Sequence, residues 1–231
     1  IIEYVVASGR ALVAQEIATA LGIPVSSLSY LLSTLVDREY LVRDGRRYSA
    51  GPGLARLQAH EQGFTLADRA APLVRTLRVQ LDETTSFFIR DGWEVEAIVT
   101  ESSEQALRYS VPQGRRLPMH ALASGKVLLG TLSPDELTHY FRESERGKFT
   151  PSTVTEEKAL QRQIMEARRT GFAMTDEEFS LGIVGIARLV TIDGHPVGSL
   201  SVAVPKVRFT DDLHARVADL LDRTASLLET A

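Results

Sequence analysis

At 231 residues, with 44% hydrophobic and 24% charged side chains, the chain has the length of two ordinary domains and the composition of a globular protein. It contains no cysteine, which excludes disulfides, thiolate metal sites, iron–sulfur clusters and cysteine nucleophiles, and no run nears the roughly 20 apolar residues of a membrane span. The formal net charge of −4 excludes a protein that coats nucleic acid by bulk electrostatics, so any DNA binding has to be local, as in a dimer that sets two small basic surfaces on one two-fold-symmetric site.

The chain opens Ile1-Ile2-Glu3-Tyr4, with neither an initiator Met nor the layout of a signal peptide, so a few native residues are expected before it and the cytoplasm is the expected compartment. Ile1, Ile2, Val5 and Val6 fall at helical spacing before Ser8-Gly9 and predict a first helix. The run Leu12–Leu21 predicts a second, ended by Gly22. Beyond Pro24, Ser26 and Ser27 suit the N-cap or first turn of a third helix with an apolar stripe of Leu28, Leu31, Leu32, Leu35 and Val36. Two short β-type runs then flank Asp44-Gly45, a dipeptide fit for a hairpin turn that needs positive φ. Three helices and a hairpin is the order of a winged helix-turn-helix; the alternative is a small helical bundle with a hairpin appended. In the winged unit the second helix braces the third, whose outer face enters the major groove. That makes Ser26, Ser27, Ser29, Tyr30 and Ser33 the base-facing candidates. Arg43, Arg46 and Arg47 lie in or beside the wing, where cations reach phosphate. Residues 1–62 hold six cations and six anions, a neutral balance that weighs against DNA binding.

Residues 51–64 read as a linker helix bounded by glycines, which divides the chain into 1–50, the linker 51–64, and 65–231. The second part is expected to open with a helix over Thr65–Leu81. Strands follow at Thr84–Arg90 and Trp93–Thr100, turning at Asp91-Gly92, and at Leu107–Val111. Helices are expected at Ala121–Gly130, Pro134–Arg142 and Thr155–Gly171, the last two with acidic first turns. Strands resume at Gly171–Thr175, Val184–Ile192 and Gly198–Val204, the last two joined at Asp193-Gly194, and a helix over Asp211–Leu228 closes the chain. Strands and helices around one antiparallel sheet make an α+β domain, which can enclose a ligand between sheet and loops.

Chemistry-bearing patterns are sparse. His60, His120, His139, His195 and His214 show no metal-ligand spacing, so no metal or cofactor is expected. The run from His120 to Lys126 ends like a phosphate loop but lacks its first glycine and is followed by Val127 rather than Ser or Thr. Gly-x-Ser-x-Gly is absent. Asp176-Glu177-Glu178 has the groups for acid–base work, though three acids in a loop are more often solvated or a helix cap.

The segments GRRLPMHALASGK (Gly114–Lys126), GFAMTDEEFSLGIVGIA (Gly171–Ala187) and SLSVAVP (Ser199–Pro205) occur in the order of the effector-domain motifs of the IclR family of bacterial transcriptional regulators. LGIPVSSLSYLLSTLVDREYLVRDGRRYSAGPGLARL resembles that family's N-terminal half, so the resemblance covers nearly the whole chain. It implies a non-enzymatic regulator, a homodimer or tetramer on double-stranded operator DNA. Its C-terminal domain would be similar to GAF-type folds and bind a small organic effector, typically a carboxylic or aromatic acid. The family's pocket positions fall here on Ala106, Tyr109, Leu117, Ala123, Ser124, the Asp176-Glu177-Glu178 loop, Leu189, Ser201 and Ala203. Backbone N–H groups at a helix start after Met119 would suit an anion. Leu117, Met119 and Leu189 have a plainer alternative as core, Ser201 as a residue satisfying backbone groups, and Lys126 as a surface or helix-end cation. The chain departs from the family pattern at Val25 and Tyr30, where basic residues are frequent, and at Arg188 and Leu189, which replace a small residue and a proline. Tyr109 stands where an aliphatic residue occurs, and its phenol suits a ring-bearing acid. Two rival readings are an enzyme using the C-terminal pocket through Asp176, Glu178 or His120, and a metabolite-sensing adaptor that does not bind DNA.

Overall fold

The computed structural model describes residues 1–54 and 65–229, and the chain divides into two compact units, Ile1–Phe64 and Thr65–Ala231. Most of the expected linker helix lies outside the described residues.

In the first unit α1 (Ile2–Ser8) ends where Gly9 takes φ 63°. The helix expected from Leu12 starts two residues later, as α2 (Ala14–Leu21). Leu12 and Val13 instead form β1 and pair with Tyr48 and Arg47. The Glu16 carboxylate accepts the Val13 N–H at 2.8 Å and thereby sets the helix start. α3 (Val25–Asp37) begins directly after Pro24, whose ring fixes φ at −55° and whose carbonyl accepts the Leu28 N–H, so Ser26 and Ser27 sit inside the first turn and cap nothing. Leu28 and Leu32 are buried with Val5, Leu12, Ile17 and Leu41, whereas Leu31, expected in the stripe, is 41% exposed on the flank. β2 (Leu41–Asp44) and β3 (Arg47–Ala50) form the wing. Asp44 pairs with Arg47, so the turn residues are Gly45 and Arg46, with positive φ supplied by Gly45 at 58°.

The second unit is built on a six-stranded antiparallel sheet in the order β6-β5-β4-β9-β8-β7. Its strands are β4 (Thr84–Asp91), β5 (Glu94–Glu101), β6 (Arg116–Pro118), β7 (Phe172–Asp176), β8 (Ile183–Ile192) and β9 (His195–Pro205). The helices α4 (Leu66–Leu81) and α8 (Asp211–Glu229) pack on one face, burying Val74, Leu77, Val217 and Leu221 against Phe87, Leu200, Val202 and Val204. On the other face lie α5 (Ala123–Leu129), α6 (Pro134–Glu143) and α7 (Glu157–Thr170), whose core includes Val127, Tyr140, Leu160 and Ile164. The alternation along β9 follows from this sandwich: Leu200, Val202 and Val204 serve the first face and leave Ser199, Ser201 and Ala203 for the second.

Leu107–Val111 is not a strand. The free edge of β5 is taken by β6, so residues 102–114 run as an irregular strap tied down at separate points. Thr84 Oγ1 donates to the Tyr109 carbonyl at 2.5 Å, Arg208 to that of Leu107 at 3.0 Å, and Ser103 Oγ to that of Asp82 at 2.7 Å.

Candidate functional sites

In the first unit, Ser26, Ser27, Ser29, Tyr30 and Ser33 are all exposed on α3. A groove between α3, the start of α2 and the wing is lined by Gln15, Val25, Ser29, Ser33, Arg43, Arg46 and Tyr48 among others. The structure therefore brings Ser29 and Ser33 together with two wing arginines. Arg43 is held by donating Nε–H to the Gly45 carbonyl at 2.9 Å and by lying over the Tyr48 ring, 5.7 Å from its centroid. Arg47 reaches back to the Ala11 carbonyl at 3.2 Å, and Arg46 occupies the hairpin turn. Arg10, which sequence reasoning did not single out, is an exposed cation paired with Glu16 at 2.9 Å.

The second unit holds a partly open pocket between the sheet and the segments that cover it. Its floor is Thr84, Ser86 and Phe88 of β4, Ser201 and Ala203 of β9, Gly185 of β8 and Thr175 of β7. Strand register places Ser86 opposite Ser201, Thr84 opposite Ala203, and Gly185 opposite both Ala203 and Thr175. A Cβ at Gly185 would stand 2.9 Å from Thr175 Oγ1, so the glycine keeps that hydroxyl in place. Tyr109 and Val111 of the strap, Leu122, Ala123 and Ser124 at the start of α5, and Phe179, Ser180 and Ile183 of the β7–β8 loop complete the walls. No Asp, Glu, Lys, Arg or His is among the lining residues. Burial pushes the Tyr109 phenol up from its ordinary pKa, against the pull of a hydrogen bond with Ser180 and the charge of Arg115, so it stands as a neutral hydroxyl.

Of the residues expected here, Tyr109, Ala123, Ser124, Ser201 and Ala203 line the cavity. The others lie elsewhere, for physical reasons. Leu117 and Met119 are sealed in the core, and Leu189 packs against the same cluster. Ala106 is exposed on the strap. Asp176 points to solvent, where Lys206 Nζ donates to it at 3.0 Å and to Glu177 at 2.7 Å. Met119–Ala121 form a 3-10 turn and Leu122 is extended, so the helix start comes at Ala123 rather than directly after Met119. The floor residues Thr84, Ser86 and Thr175 were missed, although hydroxyls alternating through a buried strand were the signal.

Glu178 is buried behind the cavity wall and paired at 2.5 Å with Lys126, which is itself fully buried rather than a surface cation. Burial holds the Lys126 ammonium below its usual pKa, with the charge and hydrogen bond of Glu178 opposing. His120, also buried, has its pKa lowered chiefly by desolvation; its Nε2–H donates to the Gly147 carbonyl at 2.9 Å. No group of three His, Cys, Asp or Glu among the described residues could hold a metal ion, and no single helix there is long and apolar enough to cross a membrane.

A winged helix-turn-helix joined to a separate α+β unit with a pocket lined by no charged residue defines the class of ligand-responsive transcriptional regulators. The comparisons give the family. A profile described as "Bacterial transcriptional regulator IclR C-terminal" matches residues 59–230 and one described as "IclR helix-turn-helix domain" matches residues 1–45. Among curated relatives, the HTH-type transcriptional repressor AllR of Klebsiella pneumoniae is 30% identical over all of this chain and 86% of its own length. Among solved structures, a transcriptional regulator from Rhodococcus sp. RHA1 superposes with a TM-score of 0.73 at 25% identity, over 96% of this chain and 90% of that one. The inducer-binding domain of PobR from Acinetobacter, a double mutant in complex with 3-hydroxybenzoic acid, superposes with a TM-score of 0.65 at 27% identity, over 71% and 98%. The chain belongs to the IclR family and is a DNA-binding transcriptional regulator with an effector-binding domain, not an enzyme.

Proposed function

We propose that the protein is a repressor whose hold on operator DNA is controlled by a small organic acid, a hydroxylated aromatic monocarboxylate foremost. The observation that carries this reading is the pocket, where the rings of Phe88, Tyr109 and Phe179 stand beside the hydroxyls of Ser124 and Ser201, those of Thr84 and Ser86 being already bonded to the Tyr109 carbonyl and to Thr100. Rings bury a planar hydrocarbon, and convergent hydroxyls satisfy a phenol and a carboxylate without an ion pair. With no cation in the walls, a second negative charge would be buried uncompensated, which selects against dicarboxylates. AllR is named a repressor and the PobR domain was solved with 3-hydroxybenzoic acid, which supports both halves of the reading.

In this scheme residues 1–50 bind DNA, 51–64 link, and 65–231 hold the effector. Ser26, Ser27, Ser29, Tyr30 and Ser33 face bases and Arg43, Arg46 and Arg47 face phosphates. Two or four copies act together, because one neutral unit offers too few cations for tight binding on its own.

The test is fluorescence anisotropy with DNA from upstream of the protein's own gene, at two salt concentrations, followed by a panel of hydroxybenzoates and aliphatic keto-acids. Salt-dependent binding weakened by a hydroxybenzoate supports the proposal. Release by keto-acids alone would refute the aromatic assignment, and tighter binding with effector would refute repression relieved by it.

A further inference from the structure

None of the 13 residues of α3, VSSLSYLLSTLVD, is Arg, Lys, Asn, Gln or His. Those are the side chains that make the bidentate pairs selecting guanine, through Arg or Lys, and adenine, through Asn or Gln, in the major groove. What α3 turns outward is hydroxyl and hydrocarbon, with one carboxylate, Asp37, in its last turn. Leu28 and Leu32 are sealed in the core. At the α-helical repeat, the face opposite them holds Ser26, Tyr30, Ser33 and, at the helix end, Asp37, whose carboxylate is the one group there of the kind that accepts from cytosine N4. Tyr30 is 76% exposed in the middle of that face, and Val25, at the helix start, is 42% exposed.

The hydroxyls discriminate weakly. Ser29 Oγ donates to the Val25 carbonyl at 2.8 Å and Thr34 Oγ1 to that of Tyr30 at 3.1 Å, which leaves both only acceptor lone pairs to offer a base. The cations that line the groove beside this helix, Arg43 and Arg46, belong to the wing, and contacts from such residues to phosphate carry no sequence information. The largest exposed group on the face is thus an aromatic ring, and the base-edge feature that matches an apolar contact is the C5-methyl of thymine. Gln15, in the first turn of α2 and lining the same groove, adds an amide of the kind that pairs with adenine.

We infer that α3 reads its operator through thymine methyls packed on Tyr30 and selects A·T-rich half-sites, with the wing arginines supplying affinity but little sequence choice. This rests on the DNA-binding assignment of the first unit given above.

The experiment is selection from a random duplex library with the full-length protein, followed by anisotropy on the selected site with each thymine replaced in turn by uracil, which pairs identically but lacks the methyl. The expected result is an A·T-rich half-site with one position at which uracil weakens binding about fourfold, the worth of one buried methyl group. That uracil effect should vanish in Tyr30→Ala and persist in Tyr30→Phe; at 76% exposure neither change touches the core. Arg46→Ala should lower the salt slope by about 0.9 for each phosphate the side chain had neutralised, while leaving the preferred sequence unchanged. Half-sites whose most constrained positions are G·C, or no uracil effect at any position, would overturn the inference and leave the regulator reading standing. Failure to select any DNA would overturn both.

Discussion

Lys126→Met would remove the ammonium from a pair in which both side chains are almost wholly buried and 2.5 Å apart. Glu178 would be left with only long contacts, the Val154 N–H at 3.4 Å and the Gln163 amide at 3.5 Å. Taking one partner from such a pair costs about 3–5 kcal/mol, because the remaining charge stays buried without compensation. For a unit of this size that lowers Tm by roughly 6–20 °C. The single tryptophan, Trp93, lies in the β4–β5 turn, donating to Glu143 and packing edge-on against Tyr140, so its fluorescence during urea unfolding reports this unit alone. Replacing both partners, Lys126→Met with Glu178→Leu, should recover at least about 2 kcal/mol of the loss, since an apolar pair carries no desolvation cost. A loss below about 1 kcal/mol in the single variant, or no recovery in the double, would refute the view that this pair is a desolvated ion pair whose charges depend on each other.

The buried His120 has its pKa lowered below the ordinary histidine value. As pH falls through about 6.5 the unfolded chain takes up a proton that the folded one refuses, so stability should drop by up to about 1.4 kcal/mol per pH unit until the folded pKa is reached. Urea midpoints for wild type and His120→Gln across that range check this, and an equal slope in both would count against it. In Gly125→Ala the new Cβ would stand 2.1 Å from the Met119 carbonyl oxygen, so α5 must move off the 3-10 turn. A loss of more than about 2 kcal/mol together with weaker ligand uptake is expected by melting and calorimetry. Ser201→Ala should weaken binding of a hydroxybenzoate about fivefold, the worth of one neutral hydrogen bond, while shifting stability by less than about 0.5 kcal/mol; calorimetry with 3-hydroxybenzoate measures it.

Most helices were legible because their apolar spacing is strong and their ends carry local chemistry, as in the capping box of Ser133 with Glu136. The errors share a cause, namely partners distant in sequence. Leu107–Val111 has the composition of a strand, but a strand needs a free edge, and β6 occupies the one on β5. Lys126 in GKVLLG reads as a surface or helix-end cation; it does lie in the last turn of α5, but the chain brings Glu178 back from 52 residues away and buries the pair. At Asp44-Gly45 and Asp91-Gly92 the dipeptide located the turn correctly, yet the Asp is the last ladder residue and the Gly opens the turn. At Asp193-Gly194 both take positive φ, 52° and 76°. Which form appears depends on strand register. The cavity was half visible: motif resemblance located Tyr109, Ser124 and Ser201, while Thr84, Ser86 and Thr175 joined it only through the pairing of β4 with β9 and of β7 with β8.

The same pairings limit how an occupied cavity can act on the rest of its unit. The sheet separates the cavity from α4 and α8, so a ligand touches neither helix directly. Several connections bypass the sheet: Arg78 of α4 pairs with Glu104 of the strap at 2.6 Å, and Ser103 Oγ donates to the Asp82 carbonyl at 2.7 Å. α4 ends at Asp82, where φ is 51°, and the next residue, Glu83, is buried with its carboxylate gripped by both Arg208 Nε and Nη2 at 2.8 Å. Arg208 also holds the Leu107 carbonyl of the strap, and Thr84, the first floor residue, holds that of Tyr109. Strap, floor and the C-terminal end of α4 therefore meet at one buried carboxylate. A ligand that resets Tyr109 must either break these bonds or carry the end of α4 with it, and the difference in its affinity for those two arrangements is the whole free energy it can transmit along the helix.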